Sequence, residues 1–159
     1  MKKNSLLFCL LFLGCSQSEA LFFSSIPETG WTQREWVAFT YSNRLPSKDV
    51  VASWKIRHDN DYPYANIHLI ARCTNPKGTT TVDTLTYLMA APDGSWLGEG
   101  WYIKELDLPY KEKLSLDEPG KYLFELRPVV RANDALVPDK KLLGIHQIGL
   151  ELKRINYGE

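Results

Sequence analysis

The strongest constraint on this chain is a period of two. In "EWVAFTYS" Val37, Phe39 and Tyr41 share one side of an extended chain, and in "VVASWKIRH" Val50, Ala52, Trp54 and Ile56 do the same, because successive side chains of a strand point to opposite faces. Further on, Ile67, Leu69, Ala71 and Cys73 alternate with Asn66, His68 and Arg72. "KYLFELRPVV" aligns Tyr122, Phe124 and Leu126, and "IHQIGLELKRI" aligns Ile148, Leu150 and Leu152. "TTTVDTLTYLMA" is rich in threonine and β-branched residues, which suit a pleated surface. Turn signals separate these runs: Pro46-Ser47, Tyr62-Pro63, Asn75-Pro76-Lys77-Gly78, Pro92-Asp93-Gly94, Pro119-Gly120 and Asn133-Asp134. The pattern predicts roughly seven or eight short strands without a βαβ rhythm, hence an all-β fold: one antiparallel β-sandwich or jelly-roll-like domain. "YKEKLSLDE" is compatible with a helical turn, a loop or an edge strand.

The N-terminus sets the compartment. Lys2 and Lys3 precede the apolar run from Leu6 to Leu13, the layout of an export signal. The run is far short of the roughly 20 residues a spanning helix needs. Phe12-Leu13-Gly14-Cys15 resembles the lipobox of bacterial lipoproteins, in which the chain is cut before a cysteine that then carries lipid. Two or three acyl chains, palmitate among them, hold a protein stably where one is marginal. The division expected is a lipoprotein signal peptide over residues 1–14, the lipidated Cys15 with a tether over 15–25, and the sandwich over 26–159. An ordinary secretory signal cut after Ala20 is the alternative.

Charge and cysteines narrow the function. Removing Lys2 and Lys3 from the 19 basic residues leaves 17 against 19 acidic, a near-neutral chain, which argues against nucleic acid as partner. Cys9 departs with the signal and Cys15 is lipidated, so Cys73 stands alone as a small hydrophobe in a domain that relies on its core.

Asp59-Asn60-Asp61 offers three oxygen-bearing side chains, but the glycine and later glutamate of a calcium loop are missing and Tyr62-Pro63 follows. Turn chemistry is the preferred reading: short polar side chains bond nearby amides and proline forces an extended exit. Asp59 with Asp61, or Asp93 with Glu99, are carboxylate pairs of the type that cleaves glycosidic bonds, at separations a sequence does not reveal. His58, His68 and His146 show no close ligand spacing. "APDGSWLGEGWYIKE" carries Trp96 and Trp101 among glycines, either as covers over the sandwich end or as exposed anchors for a protein or a sugar. Arg127 and Arg131 fall on the face opposite Tyr122, Phe124 and Leu126, pointing to solvent or across strands toward an acid.

Taken together, "DNDYPYANIHLI", "NPKG", "VDTLTYLMAAPDGSWLGEG", "GKYLFEL" with Arg131 soon after, and "LLGIHQIGLEL" resemble the GldH family of gliding-motility lipoproteins of Bacteroidetes, from about Trp31 to Leu152. The resemblance implies a small lipoprotein without enzymatic role or cofactor, in the cell-envelope machinery that supports gliding and is linked to type IX secretion. It implies recurring positions at Asp59, Tyr62, Pro63, Asp83, Pro92, Asp93, Gly94, Gly98 and Gly100 rather than an active site. One acid in "SQSE", against the dense acidic run of surface-exported lipoproteins, favours the outer membrane with the domain facing the periplasm.

Two functions are therefore expected in competition. The first is an interaction module that binds envelope proteins through Asp59, Asp61, Tyr62, Tyr64, Asp93, Trp96 and Trp101. The second is a glycan binder that stacks sugars on the same tryptophans, with Asp59, Asp93 or Arg127 bonding hydroxyls. Neither requires a metal.

Overall fold

The computed structural model describes residues 20–129, 131–132, 135–136 and 141–155. The export signal, Cys15, residues 16–19 and the Asn133-Asp134 turn lie outside the described residues, as does the side chain of Arg131.

The strands are β1 (Ala20–Ser25), β2 (Trp31–Thr32), β3 (Val37–Asn43), β4 (Ser47–His58), β5 (Asn66–Thr74), β6 (Thr80–Leu88), β7 (Lys104–Leu116), β8 (Gly120–Pro128), β9 (Arg131–Ala132), β10 (Ala135–Leu136), β11 (Lys141–Leu142) and β12 (Ile145–Arg154). Two four-stranded sheets carry the fold, β1-β12-β4-β7 and β3-β8-β5-β6, antiparallel at every pairing. Counted among the eight long strands alone, the orders are 1-8-3-6 and 2-7-4-5, which is the jelly-roll arrangement of two interleaved Greek keys. The sandwich expectation holds. The tether drawn through residue 25 is corrected: Ala20–Ser25 is a strand that pairs with β12 from Ala20↔Leu152 to Ser25↔Gln147, where Phe22 can stack on Phe39 of the facing sheet.

The alternation seen in sequence becomes the core. Val37, Phe39 and Tyr41 face Val50, Ala52, Trp54 and Ile56, and all seven are buried. An aromatic run crosses between the sheets, Phe22 to Phe39 at 5.9 Å, Phe39 to Trp54 at 6.4 Å and Trp54 to Tyr110 at 5.6 Å between ring centroids. Each large apolar side chain so enclosed stabilises the fold by about 1.5–3 kcal/mol. Cys73 is buried with them, and burial pushes its thiol up to about 11. "YKEKLSLDE" runs along β7 as far as Leu116 and ends in the turn that follows; β7 is an edge strand that carries Pro109. Proline is tolerated there because an edge strand leaves amides unpaired. The "NPKG" turn is tied by Asn75, whose side chain accepts the amides of Lys77 and Thr79.

Arg127 does lie on the outer face. Its guanidinium finds the Trp36 ring at 5.0 Å and the Gln33 carbonyl, while Arg72, 3.7 Å from the same ring, takes the acid Glu125. Of the two alternatives for Arg127, solvent or an acid across the strands, the acid is not met, because Glu125 is held by Arg72 of the adjacent strand.

The two ends of the sandwich differ. At one end lie Ala20 and the short turns 44–46, 75–79 and 117–119, locked by Asn43, which donates to the carbonyls of Leu116 and Glu118. At the other end the long connections 26–36, 59–65 and 89–103 gather with residues 143–144. The pair β2–β11 closes this loop-rich end over Trp31, which is 1% exposed.

Candidate functional site

β4 ends at His58, and the chain turns at once. Asp59 Oδ1 accepts the Asp61 amide at 2.9 Å, which sets the corner, and Pro63 keeps Tyr62 out of the helical region, so the chain leaves extended toward β5. Tyr62 is buried and its hydroxyl donates to the Asn66 carbonyl at 2.7 Å. From the far end of the sequence, Gly144 packs behind the corner: its carbonyl accepts the Asp59 amide, and its φ of +74° with a Cβ position against the Tyr62 backbone admits only glycine without strain.

The second loop docks on the first. Trp96 is fixed by its bridge to Ala90, and its indole N–H donates to Asn60 Oδ1 at 2.8 Å. Its ring meets His58 edge-on at 4.7 Å and lies 6.2 Å from Tyr62, which in turn meets Tyr64 edge-on at 6.0 Å. So Asp59, Tyr62, Tyr64 and Trp96 form one packed corner with His58, Asn60 and His146.

The other candidates stand apart. Asp61 is exposed and shares with Asp59 an open cleft of about 500 Å³ that is also lined by Glu28 and His146. Asp93 Oδ1 accepts the amide and hydroxyl of Ser95, and these bonds hold its carboxyl below the usual range: turn chemistry within its own loop. Glu99 lies on the rims of two other grooves. Trp101 is 97% exposed at the tip of the 97–103 loop, with Tyr102 beside it at 73%. The Trp96 expectation as a cover is thus met, whereas Trp101 is an exposed ring.

Electrostatics separate the histidines. His58 Nδ1 donates to the Asp59 carbonyl at 2.9 Å, which leaves Nε2 as the bare acceptor of a neutral ring, buried without a partner. Burial pushes this imidazole down, because a second proton would meet no acceptor. Burial alone would push the Asp59 carboxyl up, but hydrogen bonds from His146 and the Asp61 amide outweigh it and hold the group below its ordinary value. A general acid needs the opposite shift. Both Asp59 oxygens and the Asn60 oxygen are taken by protein donors. Among the described residues no three His, Cys, Asp or Glu side chains converge as a metal ion requires.

In the sequence His58 and His146 register only as histidines without ligand spacing, and Gly144 does not register at all. No local signal marks them, since His146 lies 87 residues from its partner Asp59.

Fold and site together define a small jelly-roll domain whose marked residues divide between a packed polar corner and an exposed aromatic tip. The chain belongs to the GldH lipoprotein family, whose family model matches residues 22–152. It is 34% identical over 147 residues to the gliding motility lipoprotein GldH homolog of Christiangramia forsetii, covering 91% of this chain and 90% of that protein. It is 31% identical over 156 residues to the gliding motility lipoprotein GldH of Flavobacterium johnsoniae, covering 96% and 97%. Among solved structures, that of the Gx strain of infectious bursal disease virus is similar at a TM-score of 0.32 and 11% identity over 89% of this chain, which spans about 38% of that chain's length.

Proposed function

We propose that this chain is a non-enzymatic interaction module of the gliding-motility envelope machinery and its associated type IX secretion, anchored through lipid on Cys15. The observation that carries the reading is the polarity of the sandwich. β1 starts at the short-turn end, while the aromatic loops with Tyr62, Tyr64, Trp96 and Trp101 leave from the opposite end. Only residues 16–19 separate Cys15 from β1, a reach of about 14 Å when extended. The short-turn end then faces the bilayer and Trp101 points away from it toward partners. Aromatic side chains on preformed loops supply contact area at low entropic cost. The outer membrane, with the domain in the periplasm, is the location consistent with the single acid of "SQSE". Glycan stacking on Trp101 draws on the same exposed ring, whereas Trp96 is packed against His58 and Tyr62 with its N–H bound to Asn60.

Two measurements test this. Mass spectrometry of the native N-terminal peptide is expected to find Cys15 acylated, and an unmodified thiol refutes the anchor. Cross-linked co-purification is expected to recover envelope proteins with the native chain and to lose them with Trp101→Ala. Equal recovery from both chains removes the role of that tip, and binding to a glycan array lost with the same substitution assigns the tip to sugars.

A further inference from the structure

The four sheet edges are not alike. β7 carries six charged residues and Pro109, and its pairing with β4 shifts register three times, devices that discourage further pairing. β1 has six residues, and β3 has seven whose outward side chains are the small Ala38, Thr40 and Ser42. β6 has nine residues, no proline and no lysine. Its outward side chains include Val82 at 61% and Leu88 at 65% exposure. Its one charge, Asp83, faces inward, bound by the Tyr110 hydroxyl and the Lys111 ammonium of β7. Among the described residues only β5 pairs with β6. Beside this edge runs a groove of about 400 Å³, lined by Leu88, Leu97, Leu106 and Leu108 together with Glu99 and Asp107; Asp107 is already paired with Lys55, which leaves Glu99 as the acid open to an incoming cation.

A second copy is a poor occupant. Antiparallel self-pairing turns the partner copy end over end, so the two Ala20 ends point in opposite directions and the two anchors cannot share one membrane. Parallel in-register pairing sets Asp83 against Asp83, a destabilising like-charge pair. This exclusion rests on the lipid anchor proposed above; the edge itself does not.

We propose that the outer edge of β6 receives an extended segment of a partner protein as an added strand. Main-chain hydrogen bonds to Thr80–Leu88 supply affinity, and side chains of alternate residues supply specificity. The segment is β-branched in alternation, sets a large apolar residue into the groove and places a lysine or arginine against Glu99. This surface is distinct from the tip at Trp101.

The test uses the full lipidated chain in detergent and an array of synthetic nonapeptides that alternate valine or isoleucine with threonine, each with Lys, Glu or Ser at one position. Lys peptides are expected to bind, Glu peptides to bind at least about tenfold more weakly, and amide exchange to slow over residues 80–88 in the bound state. Proline is placed at Val82, Thr84 and Leu85 in turn. Alternate amides of an edge strand face the open side, so some of these variants keep the native melting temperature, and those are expected to lose binding. The proposal is overturned by no binding above scrambled peptides, by protection confined to β3, β7 or the loops, by native affinity in every proline variant that keeps the native melting temperature, or by a β6-dependent dimer in sedimentation without peptide. An unmodified Cys15 refutes the anchor and leaves the peptide result standing.

Discussion

The Asp59 carboxylate accepts a 2.7 Å hydrogen bond from His146 Nε2, across 87 residues of sequence. The same carboxylate takes the Asp61 amide, so one side chain ties the start of β12 to the corner that follows β4.

Asp59→Ala is expected to destabilise the domain by about 1–3 kcal/mol in urea unfolding, the cost of leaving donors without their acceptor. His146 is 40% exposed, so His146→Ala is expected to cost less. Because the two share one bond, the double variant should fall short of the sum of the singles. Strict additivity would show that the pair contributes no coupling.

Two groups set the acid response. The folded His58 ring lies below its ordinary 6.5, so between the two values the unfolded chain holds more protons and stability falls as pH drops below about 6.5. The Asp59 carboxyl also lies below its ordinary 3.8; its contribution is full above that value and is lost as pH falls through the folded one. Melting temperature is therefore expected to decline on mild acidification, with a smaller slope in His58→Phe. Identical slopes in the two chains would remove His58 as the cause.

Gly144 and Gly78 both have positive φ, but they differ in surroundings. At Gly78 nothing stands within 4 Å of an added Cβ, so Gly78→Ala should cost only the left-handed backbone penalty, about 1–2 kcal/mol. Gly144→Ala meets the Tyr62 backbone as well and should cost about 2–5 kcal/mol. Thermal unfolding distinguishes them, and equal losses would contradict the packing of Gly144 behind the corner.

Trp96 and Trp101 should separate stability from binding. Trp101→Ala removes a ring that is 97% exposed and is expected to change stability by less than about 0.5 kcal/mol while abolishing partner recovery. Trp96→Ala removes the His58 and Tyr62 contacts and leaves Asn60 without its donor, an expected loss of about 2–4 kcal/mol. Calorimetry of both variants checks the split.

Much of the fold was legible because burial on one face of a strand writes itself into alternate residues. Val50, Ala52, Trp54 and Ile56 were read correctly for that reason. β1 was not, because Phe22 and Phe23 both carry large rings: Phe22 stacks on Phe39, whereas Phe23 lies on the outer face over Gly149 and under Arg57. The corner at Asp59 was legible as a turn, since an Asx turn is local. Its histidine partner was not.

By itself, the sequence determined an all-β sandwich, its inward residues, most of its turns and its family resemblance, since these depend on neighbours one to four residues apart. Only the tertiary structure decided that His146 and Gly144 complete the Asp59 corner, that Trp96 is packed while Trp101 is bare, and that β6 is the edge left open. Those outcomes depend on which strands become neighbours, and strand order arises from contacts between segments tens of residues apart that no local pattern encodes.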